Sequence, residues 1–87
     1  MRAVVFASRA RKDFDGWAAN DKQTFGKIVQ LITAIDAQPF SGIGKPELLK
    51  HELQGYWSRR INQKDRLVYI ITSKNEILII SCKGHYS

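Results

Sequence analysis

Tyr56-Trp57-Ser58-Arg59-Arg60-Ile61-Asn62-Gln63-Lys64-Asp65-Arg66-Leu67-Val68-Tyr69-Ile70-Ile71-Thr72 decides the fold. Tyr56 to Asn62 alternates: Trp57, Arg59 and Ile61 fall on one side of an extended chain, and Tyr56, Ser58 and Arg60 on the other. Gln63-Lys64-Asp65 is wholly polar and reads as a turn. Arg66 to Thr72 is dense in β-branched and aromatic side chains, which suit a pleated surface, and reads as a second strand. A short polar turn between two strands makes them an antiparallel pair.

The pattern extends in both directions. Downstream, Ser73-Lys74-Asn75-Glu76 makes a hairpin connection and Ile77 to Lys83 is the last strand. Upstream, Gly55 turns the chain and Lys50 to Leu53 is a short strand candidate. Gln38 to Pro46, punctuated by Pro39, Gly42, Gly44 and Pro46, is the one extended loop, a usual place for function.

The first third reads differently. Arg2 to Phe6 is a short first strand. Ser8 is placed to cap a helix in which Ala10, Phe14, Trp17 and Ala18 form one apolar stripe. Ala19-Asn20-Asp21 breaks it, and Asn20 or Asp21 caps a second helix. There Phe25, Ile28, Val29, Ile32 and Ile35 recur at helical spacing, until Pro39 forbids helical angles before it. The order β-α-α-β-β-β-β over residues 1–87 predicts a single α+β domain. A two-helix hairpin packs on a mostly antiparallel twisted sheet of four to five strands.

Composition narrows the function. The chain has 87 residues, 44% of them hydrophobic, which is ordinary for a small globular domain. Its formal net charge is +6, which favours a polyanionic partner, either nucleic acid or an acidic protein. The lone Cys82 forms no internal disulfide and suits a reducing compartment. No stretch is long and apolar enough for a signal peptide or a membrane span, so the expected location is the cytoplasm. One Cys and two distant His have no zinc-ligand spacing, and neither a metal nor a cofactor is expected. Gly42-Ile43-Gly44 is not a dinucleotide or phosphate-loop fingerprint, and no serine sits in an elbow motif.

The remaining chemistry is acid/base work on RNA. Phosphodiester transfer without a metal needs a base for the attacking hydroxyl, a cation for charge on the phosphoryl oxygens and an acid for the leaving oxygen. RNA carries its own nucleophile, the 2′-hydroxyl. Glu47 is the candidate base, with Lys45 and Lys50 beside it as lesser phosphate contacts. Arg66, Arg59 and Arg60 are the candidate cations, since a guanidinium fork matches phosphate oxygens. By alternation Arg59 and Arg60 point to opposite faces, so at most one meets the site, and one of the three arginines is expected to pair with Glu52 or Asp65. His85 is the candidate acid, because imidazolium gives up its proton near neutrality. Tyr86 is placed to stack on a base or hydrogen-bond a phosphate. His51 reads as structural.

Gly44-Lys45-Pro46-Glu47, Leu49-Lys50-His51, Leu53, Gly55, Trp57-Ser58-Arg59-Arg60-Ile61, Arg66-Leu67-Val68-Tyr69 and His85-Tyr86 together resemble the YoeB toxins, part of the RelE-like group of bacterial ribonuclease toxins. The resemblance runs from about Pro39 to Tyr86 and is weaker in the helices. It implies cleavage of messenger RNA in the ribosomal A site, next to ribosomal RNA, leaving a 2′,3′-cyclic phosphate and a 5′-hydroxyl. It also implies an acidic YefM-like antitoxin as partner and a homodimer. By the same resemblance Glu47 is the general base, Arg66 the phosphate stabiliser, His85 the general acid and Tyr86 the substrate-orienting residue, with Lys50 and Arg60 as auxiliary contacts. Three features depart from the family pattern: Leu48 where many members have proline, the basic Arg9, Arg11 and Lys12 in the first helix, and the extra Ser87. The alternative from another class is a non-catalytic module that occupies RNA or the ribosome by charge alone.

Overall fold

The computed structural model describes residues 1–85. The elements follow in the order β1 (Val4–Phe6), α1 (Ser8–Asn20), α2 (Lys22–Ala37), β2 (Glu47–Leu48), a short 3-10 helix (His51–Leu53), β3 (Trp57–Arg60), β4 (Arg66–Ile71) and β5 (Ile77–Ser81). The five strands form one mixed sheet in the spatial order β1-β5-β4-β3-β2. The ladders β2-β3, β3-β4 and β4-β5 are antiparallel. β1 alone runs parallel to its neighbour β5, a pairing that the crossover through the two helices permits.

The helices cover one face of the sheet. Ile28, Leu31, Ile32 and Ile35 of α2 and Ala10 of α1 form the core with Ile61, Leu67, Tyr69, Ile77, Ile79 and Cys82. The four α2 residues sit at i, i+3, i+4 and i+7, one narrow stripe. This corrects the expected stripe: Val29, one residue off that line, is 42% exposed, and Leu31 is fully buried in its place. Ala18 of α1 is likewise exposed. The end of α1 is fixed to the sheet by Trp17, whose indole Nε1 donates to the Cys82 carbonyl at 2.9 Å.

The helix caps divide. Asp21 caps α2 by accepting from the Thr24 amide at 3.0 Å. That bond and the Thr24 hydroxyl hold its carboxyl below the usual range. Ser8 is no cap: it is the first residue of α1, and Ala7 precedes it with no side-chain bond. The Ser73 to Glu76 connection closes as expected, with Thr72 N donating to Glu76 O at 2.9 Å.

One expected strand is absent. Lys50 to Leu53 carries the 3-10 turn instead. Strand pairing stops where Leu49 N donates to Tyr56 O at 2.9 Å, and His51 then takes a left-handed backbone with φ 58°. That turn steers the chain away from the ladder and makes one wall of a cavity.

Candidate active site

The site lies on the sheet face away from the helices, and strand register builds it. Residues directly opposite on adjacent antiparallel strands share a face. Glu47 is paired with Ser58, and Arg60 with Arg66, so all four side chains rise from the same face. Leu48 is paired with Trp57 on the other face, where the ring of Phe40 lies 5.1 Å from that of Trp57. This apolar backing seats the two-residue strand that carries Glu47.

A cavity of about 920 Å³ opens over this face, lined by Lys45 to Leu53, Ser58, Arg60, Arg66 and His85. Glu47, Arg66 and His85, distant in sequence, therefore meet in one depression, together with Lys45, Lys50 and Arg60. Four Lys or Arg side chains face two carboxylates, Glu47 and Glu52. His51, expected to be structural, and Ser58, which carries no motif of its own, also line it. Tyr86 lies outside the described residues.

No ion pair among the described residues ties the cavity's lysines and arginines to a carboxylate. Among the described residues the ion pairs are Arg2–Asp36 and Arg11–Asp15, and neither lines the cavity. The expected pairing of a site arginine with Glu52 or Asp65 is thus not formed. Arg66 is instead held by carbonyls: its Nη1 donates to Asn62 O at 2.8 Å and to Asp65 O at 3.1 Å. Two bonds at one end of the fork fix its direction and leave the other donors for a ligand.

Arg59 is a correction. It is completely buried and faces the helices, away from the cavity, so it is not a phosphate contact. Its guanidinium donates to Ile43 O at 3.1 Å, to Ser41 O at 2.8 Å and to Gln38 O, and its Nε to the Tyr69 hydroxyl at 3.2 Å. Tyr69 in turn donates to Pro39 O at 2.6 Å. Buried without a carboxylate, the charge is solvated by loop carbonyls. The loop from Gln38 to Gly44 is therefore wrapped round an internal cation, and it leads directly into Lys45-Pro46-Glu47. Burial pushes the Tyr69 phenol up, against the opposing pull of Arg59.

Gly44 completes this entry. Its φ is +83°, and an added Cβ would lie 2.8 Å from Leu31 Cδ2 and 3.1 Å from Arg59 Cβ. Its carbonyl accepts from Arg60 N at 2.7 Å. Only glycine takes that conformation in that space without strain.

A two-helix layer on a mixed sheet, with a basic, carboxylate-bearing cavity on the opposite face, defines the RelE-like toxin architecture. The model of the YoeB-like toxin of bacterial type II toxin-antitoxin systems matches residues 6–86. The Toxin YoeB of Synechocystis is 49% identical over 83 residues, 95% of each chain. A solved YoeB/ParE toxin from Agrobacterium tumefaciens superposes with a TM-score of 0.93 at 38% identity, covering 97% of this chain and 99% of that one. The heterotetrameric YoeB-YefM toxin-antitoxin complex of Staphylococcus aureus contains a chain with a TM-score of 0.90 at 45% identity, covering 99% of both. A YoeB dimer from the same organism gives the same TM-score and identity, covering 98% of both. The chain belongs to the YoeB family and is a toxin of a type II toxin-antitoxin system.

Proposed function

We propose that this toxin is a ribosome-dependent, metal-independent endoribonuclease that stops translation by cutting messenger RNA in the ribosomal A site. The observation that carries the reading is the Arg60–Arg66 pair, two guanidinium-bearing residues directly opposite each other beside Glu47 and His85. Like charges across a strand pair oppose folding unless an anion joins them. A phosphodiester is the anion whose oxygens fit such forks.

The reaction follows from the groups present. Glu47 takes the proton of the 2′-hydroxyl, whose oxygen attacks the adjacent phosphorus. Arg66 and Arg60 receive the charge that builds on the non-bridging oxygens. The bond from phosphorus to the 5′-oxygen breaks, and protonated His85 gives its proton to that oxygen. The products are a 2′,3′-cyclic phosphate and a 5′-hydroxyl. Lys45 and Lys50 grip neighbouring phosphates, and Tyr86 orients the substrate.

The free toxin is taken to work in the cytoplasm as a homodimer, and an acidic YefM-like antitoxin to neutralise it. The +6 charge suits both the antitoxin and ribosomal RNA.

The test is primer extension on messenger RNA bound to purified ribosomes, with the wild type, Glu47→Ala and His85→Gln. Each variant is expected to cut about 10²–10⁴-fold more slowly. Translation arrest by the wild type without new RNA 5′ ends would favour the non-catalytic alternative.

A further inference from the structure

Asp65 is 2% exposed, yet its carboxylate has no arginine or lysine partner among the described residues. Its two oxygens have separate tasks. Oδ1 accepts from Gly84 N at 2.9 Å, and Oδ2 accepts from Asn62 Nδ2 at 3.0 Å. In the reverse direction, Gly84 O accepts from Arg66 N at 2.9 Å. The segment before His85 is thus tied on both sides of Gly84 to consecutive residues, Asp65 and Arg66.

We propose that Asp65 is a positioning residue for the reaction, holding Gly84-His85 in register with Arg66 so that the acid and the phosphate-binding fork share one frame. The proposal rests on the reading of His85 as general acid. Past Ser81 the described residues leave the ladder, and His85 is exposed. A buried, hydrogen-bonded anchor next to it replaces the missing ladder. Misplacement of a reacting group by about 1 Å can cost about 10²-fold in rate.

The chemistry requires a carboxylate. Asn62 Oδ1 is occupied by the amides of Lys64 at 2.8 Å and Asp65 at 2.7 Å. That fixes the Asn62 amide, so its Nδ2 must point at residue 65. An asparagine at 65 would set one amino group against another, or turn round and lose Gly84. Exchanging the two side chains, Asn62→Asp with Asp65→Asn, gives every one of these bonds a donor and an acceptor again. It keeps the net charge.

The experiment compares the wild type, Asp65→Asn and the exchanged double variant as full-length chains. Amide hydrogen exchange at Gly84 and the resonances of the His85 ring are read without RNA; kcat and KM are read on ribosome-bound messenger RNA. Asp65→Asn is expected to lose Gly84 protection and shift the His85 signals. Its kcat should fall by about 10–10²-fold with KM nearly unchanged, because Lys45, Lys50 and Arg60 keep their hold on RNA. The double variant should recover protection and most of kcat. Unchanged Gly84 protection, an unchanged kcat or a double variant that stays slow would each overturn the proposal. Should Asp65→Asn not fold, the double variant alone decides. A wild type that cuts no RNA would remove the ribonuclease reading instead, while the Gly84 measurement still decides whether Asp65 holds the segment.

Discussion

Arg60 and Arg66 stand directly opposite each other across the β3-β4 ladder, and no carboxylate pairs with either among the described residues. A fold selected for stability alone would place an acid at one of these positions. On the proposed reading, the pair is where the sheet gives up stability to receive an anion.

Arg60 is exposed and its side chain makes no hydrogen bond to any described residue, so its replacement separates the two effects. Arg60→Ala should leave thermal stability unchanged or raise it by up to about 1 kcal/mol, through relief of the cross-strand repulsion. The same variant should bind RNA more weakly and with a salt slope smaller by roughly one ion. Calorimetry and a salt titration of binding check the two halves. A clear loss of stability would mean that Arg60 is a structural residue.

The Arg59–Tyr69 system should behave in the opposite way. Arg59→Met leaves three loop carbonyls without their donor, at about 1–3 kcal/mol for each that stays buried. Tyr69→Phe removes the bond to Pro39 O and should cost about 1–3 kcal/mol. Denaturant unfolding measures both. Because the loop leads to Glu47, a Tyr69→Phe protein that remains folded should also cut RNA more slowly. Unaltered stability in Arg59→Met would contradict the role assigned to the internal cation.

Stability should decline in alkali, with a sign fixed by two buried groups. Burial, aided by Asp13 and Asp65, pushes the Cys82 thiol up from 9.0 to about 12. Tyr69 is raised above 10.0 by burial. Between the ordinary and the raised values the native chain keeps a proton that the unfolded chain has released, so stability falls as pH rises. The contribution of Cys82 is intact below pH 9.0 and is lost as pH climbs toward 12. Cys82→Ala should flatten the first part of this decline in unfolding curves taken at successive pH values. The native thiol should also resist alkylation at pH 8 and react once the chain is denatured.

The fold was legible because its pattern is local. The alternation through Trp57, Arg59 and Ile61 and the β-rich run from Arg66 gave the central hairpin, and Pro39 and Asp21 gave the limits of α2. What failed was decided by contacts distant in sequence. Leu31 rather than Val29 is in the core, and the distant Gly44 lies close over its side chain. Lys50 to Leu53 lost its strand because no partner edge was left beyond Leu49. For the site, alternation correctly separated Arg59 from Arg60 but could not say which faced the helices. An arginine solvated by backbone carbonyls has no sequence signature, and neither has the Asp65 bond to Gly84.

On the proposed mechanism Glu47, Arg66 and His85, gathered round one cavity, make the 2′-hydroxyl of RNA cut its own chain. The most direct test is a messenger RNA with a single 2′-deoxy nucleotide on the 5′ side of the scissile bond, bound to ribosomes and exposed to the toxin. The all-ribose strand should be cut to a 2′,3′-cyclic phosphate, and the substituted position should stay intact. Equal cutting of both strands would contradict the mechanism.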